Sequence, residues 1–233
     1  NVYNHIAPIV ETRTAKLSRV RPVMSVRASG KDDCDVKAAK LASSILSSTF
    51  SRLDMDDVIY RATMWSETLG TSFYKVVWDE NGGRKVGELN GEPVFEGDAK
   101  VIAVSPYEIF PDSLFHEEIS DLKSIIHARA MHVGDVYKIY GKSVKGGDVN
   151  VFGFDNPSVA GGAASGIPRV TSGVVHDNVL VIERYEAPSD EFPEGRVVTV
   201  AGGEVLQISE LPYINGEEGR RVFPFVRQVS INQ

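Results

Sequence analysis

Apolar residues fall at helical spacing from Asp35 to Thr71 (DVKAAKLASSILSSTFSRLDMDDVIYRATMWSETLGT), with no proline and no glycine before Gly70. Ala38, Leu41, Ala42, Ile45, Thr49 and Leu53 form one stripe; Val58, Ala62, Trp65 and Leu69 form a second. The pattern predicts one long helix or a helix pair. Asp35 stands where an N-cap carboxylate would accept the free amides of the first turn, and Gly70 where a left-handed residue would close the last. Unbroken, such a helix would be about 50 Å long at about 1.5 Å per residue. The run Leu53-Asp54-Met55-Asp56-Asp57 is its candidate break, with Asp56 as a second N-cap. One face, through Ile45, Leu53, Val58, Ala62 and Trp65, is expected to pack on the sheet that follows. The other, with Lys37, Ser44, Ser48, Arg52 and Glu67, is polar enough to meet water or a neighbouring subunit.

Around this stretch the period changes. Ile6 to Val20 predicts a short helix that tolerates Pro8 near its start and stops at Arg21-Pro22. Val23 to Arg27 alternates like a short strand, and Ala28 to Asp35 is a turn. After Gly70 the period is two: Phe73–Asp79, Lys85–Leu89, Pro93–Phe95 and Lys100–Ser105 predict four strands. The turns Asn81-Gly82-Gly83 and Asn90-Gly91 accept positive φ, so these strands are expected to form an antiparallel meander. Leu122–Met131 predicts a buried strand and Val133–Tyr140 a short helix ended by Gly141. Residues 141–177 are glycine-rich with little periodicity and are expected to be a mobile loop. Asn178–Tyr185, Arg196–Val200, Glu204–Ile208 and Arg221–Gln228 predict a second strand series. Helices first and hairpin-linked strands after argue for an α+β fold, a long N-terminal helix or helix pair packed on antiparallel meanders. The expected organisation is 1–34 (helix and short strand), 35–140 (helical core, meander and short helix), 141–177 (loop) and 178–233 (second strand series).

Composition narrows the function classes. With a formal net charge of −7, a general nucleic-acid-binding surface is not expected. The single cysteine, Cys34, excludes an intrachain disulfide and fits a reducing compartment. The chain has no run apolar enough for a membrane helix. Asn1 in place of Met, and an end at Gln233 just after a strand-like run, suggest a piece of something longer.

The residues that could carry chemistry mostly have plainer readings. Arg13, Lys16 and Arg19 cluster on the first helix, as a DNA or partner contact or, more simply, a solvated face. Asp32, Asp33 and Asp35 lack the ligand pattern of a calcium loop. His127 and His132 lie five apart, on opposite faces of a strand, and are poor co-ligands. Gly141-Lys142-Ser143 follows a helix instead of a strand, which is the wrong context for a phosphate loop. Glu183 and Glu186 flank Arg184 and read as a surface salt-bridge face. Trp65 and Trp78 are expected to pack between helix and sheet. No nucleophile elbow, zinc-protease motif or dinucleotide fingerprint is present. No residue is assigned to catalysis, a cofactor or a metal, and no enzyme is expected.

The segments NHIAPIVETRTAKLSRVRPVMSV, LGTSFYKVVWD, VSPYEIFPD, HARAMHVGDVYKIYG, VLVIERYEAP and RVFPFVRQ, in that order, resemble the portal proteins of tailed bacteriophages. The resemblance covers nearly the whole chain and rests on fold-level patterns. It implies a structural subunit of a homo-oligomeric ring, usually a dodecamer, at one capsid vertex of the virion. The ring is the head-to-tail conduit for DNA packaging and ejection. Its partners would be other copies of itself, the major capsid or scaffolding protein, the terminase large subunit, a tail adaptor and double-stranded DNA. This chain would be the N-terminal wing portion, with the stem, tunnel loop and clip beyond Gln233, so no DNA- or motor-contact residue is carried over. The alternatives are another virion or tail-adaptor module, a carbohydrate-binding β-rich domain presenting Trp65, Trp78, Tyr74 and Tyr185, and a hydrolase drawing two carboxylates from Asp32, Asp54, Asp56, Asp112 and Glu183.

Overall fold

The helical stretch is a pair. In the computed structural model, α1 (Ile6–Leu17), α2 (Asp33–Arg52) and α3 (Met55–Leu69) precede the first strand. The structure describes residues 5–17, 19, 24–30, 32–89, 91–116, 118–154, 170–214 and 219–230. Two units divide the chain, Asn1–Ala103 with Gln228–Gln233, and Val104–Arg227.

In the first unit the break falls at Leu53–Asp54. Asp54 has φ 48°, ψ 47°, a left-handed conformation that cannot continue a right-handed helix. The second N-cap position is therefore Asp54 and not Asp56. At the start of α2 the cap position is Asp32, with Asp35 one turn inside, where its carboxylate still faces the positive end of the helix dipole. Gly70, at φ 86°, closes α3 as expected. Only α3 carries a continuous buried face, from Ala62 to Ser66 with Trp65 among them. It packs on β1 (Thr71–Asp79), and α1 packs on α3. α2 buries only Ala39; of the expected core stripe, Ala38, Leu41 (63%) and Ile45 (56%) are exposed, while Ala42, Thr49 and Leu53 are partly buried. The corner at Asp54 is the reason, because it releases α2 from the line of α3. Met24–Ala28 forms no strand; Val26 is tied to α2, its N–H donating to Ser43 Oγ at 2.8 Å. Val23, and Val20 at the end of the expected first helix, lie outside the described residues.

The expected meander is also corrected. β2 (Lys85–Leu89) and β3 (Glu92–Phe95) form a two-stranded sheet by themselves, while β1 pairs with β4 (Asp98–Val104). No residue of β2 is buried, whereas β4 carries partly buried Val101, Ile102 and Ala103 and buried Val104. Burial of an apolar face, and not the nearest turn, selects the partner of β1.

The second unit is built on one sheet. β5 (Ile109–Pro111), β6 (Ser124–His132), α4 (Val133–Tyr140), β7 (Gly147–Phe154), β8 (Val170–Glu186), β9 (Arg196–Ala201) and β10 (Glu204–Ser209) follow one another. The strand order is β10-β9-β8-β6-β5, with β7 also on β8, and every ladder is antiparallel. The segment 141–177 is therefore not a single loop: β7 and the start of β8 lie within it and pair from Gly147 to Phe154. Its glycines and valines disguised the ribbon, since both faces are half-wet and no period-two contrast results. Residues 155–169 lie outside the described residues. Met131, Val136, Val179, Val181, Ala201 and Leu206 form the core, with Val133, Tyr140 and Val144 packed against it. Short β11 (Tyr213–Ile214) and β12 (Arg221–Val222) pair with each other.

β13 (Phe225–Val229) is separate from β12, because Pro224 has no N–H to give a ladder. It completes a three-stranded sheet of order β13-β1-β4. In the first unit Gln228 is tied down by several hydrogen bonds, among them its carbonyl accepting from Thr71 Oγ1 at 3.1 Å and its amide nitrogen donating to Ser66 Oγ at 3.2 Å. The chain is thus a mixed α+β fold with four α-helices and antiparallel sheets among the described residues.

Candidate functional site

A buried polar constellation lies inside the second unit, and the strand pattern puts it there. Along β8 the inward positions alternate as Val179, Val181, Glu183 and Tyr185, all buried. Along β6 they include Ile125 and His127, which are buried as well. The β6–β8 register sets His127 directly opposite Glu183. From the other side of β6, Ile109 pairs with His127, so the 3-10 turn Pro106–Glu108 just before it brings Glu108 close. That turn is fixed by Ser105, whose Oγ accepts from the Tyr107 amide at 3.2 Å.

His127 Nδ1 lies 2.9 Å from Glu183 Oε2 and its Nε2 lies 3.4 Å from Glu108 Oε2. Tyr185 donates its phenol hydrogen to the same Glu183 oxygen at 3.1 Å. Phe225 stands edge-on to both rings, 5.9 Å from His127 and 5.1 Å from Tyr185, a favoured aromatic geometry. Burial raises the Tyr185 pKa well above the ordinary phenol range, and the adjoining Glu183 carboxylate raises it further. Tyr140 is raised for the same two reasons, burial first.

Each ring nitrogen of His127 thus faces a carboxylate oxygen. The two acids bind opposite edges of the imidazole and do not converge on a common point, which is the wrong geometry for a shared cation. Among the described residues no group of three or more His, Cys, Asp and Glu side chains is placed to hold a metal ion. The His127 side chain is 3% exposed and Glu183 9%, while Glu108 at 37% is the wet end. A substrate has no approach to the inner pair. The cluster is an internal tie that joins β6, β8 and the 3-10 turn.

The residues singled out in the sequence are dispersed. Arg13 is paired with Glu67, which also accepts from Ser230 Oγ at 2.7 Å. Glu67, expected on the water-facing side of the long helix, is thereby internal, with a side chain 3% exposed. The Arg13 hydrogen bond is the main cause that holds the Glu67 carboxyl below the usual carboxylate range. Lys16 and Arg19 are exposed. Asp32, Asp33 and Asp35 begin α2, and Cys34 beside them is exposed. His132 caps α4, accepting from the Gly134 amide at 3.1 Å, and shares nothing with His127. Gly141 is the left-handed cap of α4 and Lys142 Nζ donates to the Val205 carbonyl at 2.6 Å, so this segment holds no phosphate loop.

Glu186 meets Arg184 at 2.9 Å and Arg196 at 2.5 Å, as a salt-bridge face. Glu183 does not belong to that face, and its parity with Val179, Val181 and Tyr185 was the available signal. Trp65 is buried between helix and sheet, but Trp78 is 58% exposed, its ring lying over Gly97. Of the four aromatic residues considered for sugar stacking, Trp65 and Tyr185 are buried, and the half-buried Tyr74 hydrogen-bonds Gln228. Of the five carboxylates considered for a hydrolase, Asp54 sits at the helix corner and Asp112 accepts from the Lys123 amide at 3.2 Å.

Compared with known proteins, the chain matches no protein-family model and no curated protein.

Proposed function

We propose that this chain is the wing part of a portal-type ring subunit of a tailed bacteriophage. In that role it is a structural, non-catalytic component at one capsid vertex, in the conduit for DNA packaging and ejection. The ring would dock the terminase large subunit and the tail adaptor, contact capsid or scaffolding protein, and pass double-stranded DNA. The observation that carries the reading is the order of the resembling segments along nearly the whole chain, from NHIAPIVETRTAKLSRVRPVMSV to RVFPFVRQ. Two further features support it. The polar cluster at His127 is closed to substrate, and α2 leaves Leu41 and Ile45 in water, as a surface made for a neighbour would. The corner at Asp54 removes a single 50 Å spoke from the picture. The radial element would be α2 alone, about 30 Å long at about 1.5 Å per residue.

Electron microscopy of the purified full-length protein tests the proposal. Rings with a central channel are the expected result, and a monodisperse monomer under all conditions would count decisively against it.

A further inference from the structure

We propose that the Leu114–Phe115 turn is a docking knob that seats on the outer face of α1 of a second copy of this chain. Leu114 is 85% exposed and Phe115 97%, more than any other large apolar side chain among the described residues. The turn that carries them is fixed. The Phe115 amide donates to Ser113 Oγ at 3.2 Å, the Asp112 amide donates to the Ser124 carbonyl at 3.1 Å, and the Lys123 amide returns to Asp112 Oδ2 at 3.2 Å. An apolar pair held outward on a fixed turn loses little freedom on binding, which is what makes an anchor effective. Within three residues of the pair stand two exposed carboxylates, Asp112 and Glu118.

The complementary surface is on the same molecule. Pro8, Ile9, Thr12, Arg13 and Lys16 line a groove of about 320 Å³ on α1, with Ile9 59% exposed. Its floor is apolar and Lys16 stands at its rim, Arg13 being paired with Glu67. Knob and groove match in both respects, apolar centre to apolar floor and the acidic shoulder at Glu118 to Lys16. The acidic shoulders also make an anionic lipid surface an unfavourable partner. A second copy is the occupant because one chain exposes both halves of the match. The contact joins two different patches, so it is heterologous and propagates head to tail into a ring or an open chain. The inference rests on the portal reading only for closure of the ring.

Sedimentation equilibrium of the 233-residue chain, with Phe115→Asp, Lys16→Glu, Glu118→Lys and the Lys16→Glu/Glu118→Lys double variant, tests it. Phe115 is almost wholly in water, so an unchanged far-UV spectrum and Tm will show that its variant folds. The wild-type chain should associate with concentration, and Phe115→Asp should weaken that association about 30-fold or more, as loss of a central anchor does. Each single charge reversal should weaken association and the double reversal should restore it. A wild-type chain that stays monomeric to millimolar concentration overturns the proposal, as does a Phe115→Asp variant that associates like the wild type. Sensitivity to Phe115→Asp with no response to either reversal overturns the α1 assignment. Rings that persist in Phe115→Asp sink the knob and leave the portal reading standing. Open chains in place of rings, abolished by Phe115→Asp, support the knob and count against that reading.

Discussion

His127 and Glu183 are direct cross-strand partners on β6 and β8, with Nδ1 2.9 Å from Oε2 across a separation of 56 residues. Neither is reached by substrate, and Tyr185 and Glu108 complete the tie. Removing His127 takes a hydrogen-bond partner from the buried Glu183 carboxylate, and breaking a buried pair from one side costs far more than the pair contributes. His127→Ala should destabilise the second unit by about 3 kcal/mol. His127→Phe combined with Glu183→Leu should recover most of that loss. Urea unfolding of the two variants checks this, and a double variant no better than His127→Ala would show that the tie itself is needed.

The two tryptophans make an internal control. Trp65→Ala removes a buried ring and should cost about 3–5 kcal/mol. Trp78→Ala should cost about 1 kcal/mol or less, because its ring is 58% exposed. Gly97→Ala should exceed that cost, since φ is +78° and a Cβ would meet the Trp78 ring at 2.5 Å. Thermal denaturation ranks the three.

Glu67 couples the first unit to pH. Its folded pKa is depressed, mainly by the hydrogen bond from Arg13. The stability it contributes is therefore full above the unfolded carboxylate value of about 4.3 and is lost as pH falls through the folded value. Glu67→Gln should be less stable than the wild type at neutral pH and should lose less on acidification below about pH 4.3. Parallel acid limbs in the two proteins would refute the coupling.

Two left-handed positions bound α3, and they predict opposite signs. Asp54→Gly should be neutral or stabilising by up to about 1 kcal/mol, because glycine adopts φ 48° freely. Gly70→Ala should cost about 1 kcal/mol although nothing lies within 4 Å of its Cβ, since the penalty is conformational. Chemical denaturation of both variants decides; a destabilised Asp54→Gly would mean that the carboxylate itself holds the corner.

Local chemistry was legible along the chain. The α3 and α4 helices with their glycine caps, most strands of both units and the aspartate-rich corner follow from period, caps and turn residues, which act within a few positions. Strand pairing was not. Asn81-Gly82-Gly83 announces a turn, yet β1 pairs with β4 and β13, and β2 keeps Val86 and Leu89 in water. Burial likewise separates the two tryptophans, the two halves of the helical stretch, and Glu183 from Glu186. Residue type and spacing determined that these positions are apolar, charged or turn-forming. Only the tertiary packing decided that α2 stays in water, that His127 meets Glu183 and Glu108, and that Leu114 and Phe115 are left facing out. Burial is a property of what the rest of the chain brings up to a residue, and no local pattern contains it.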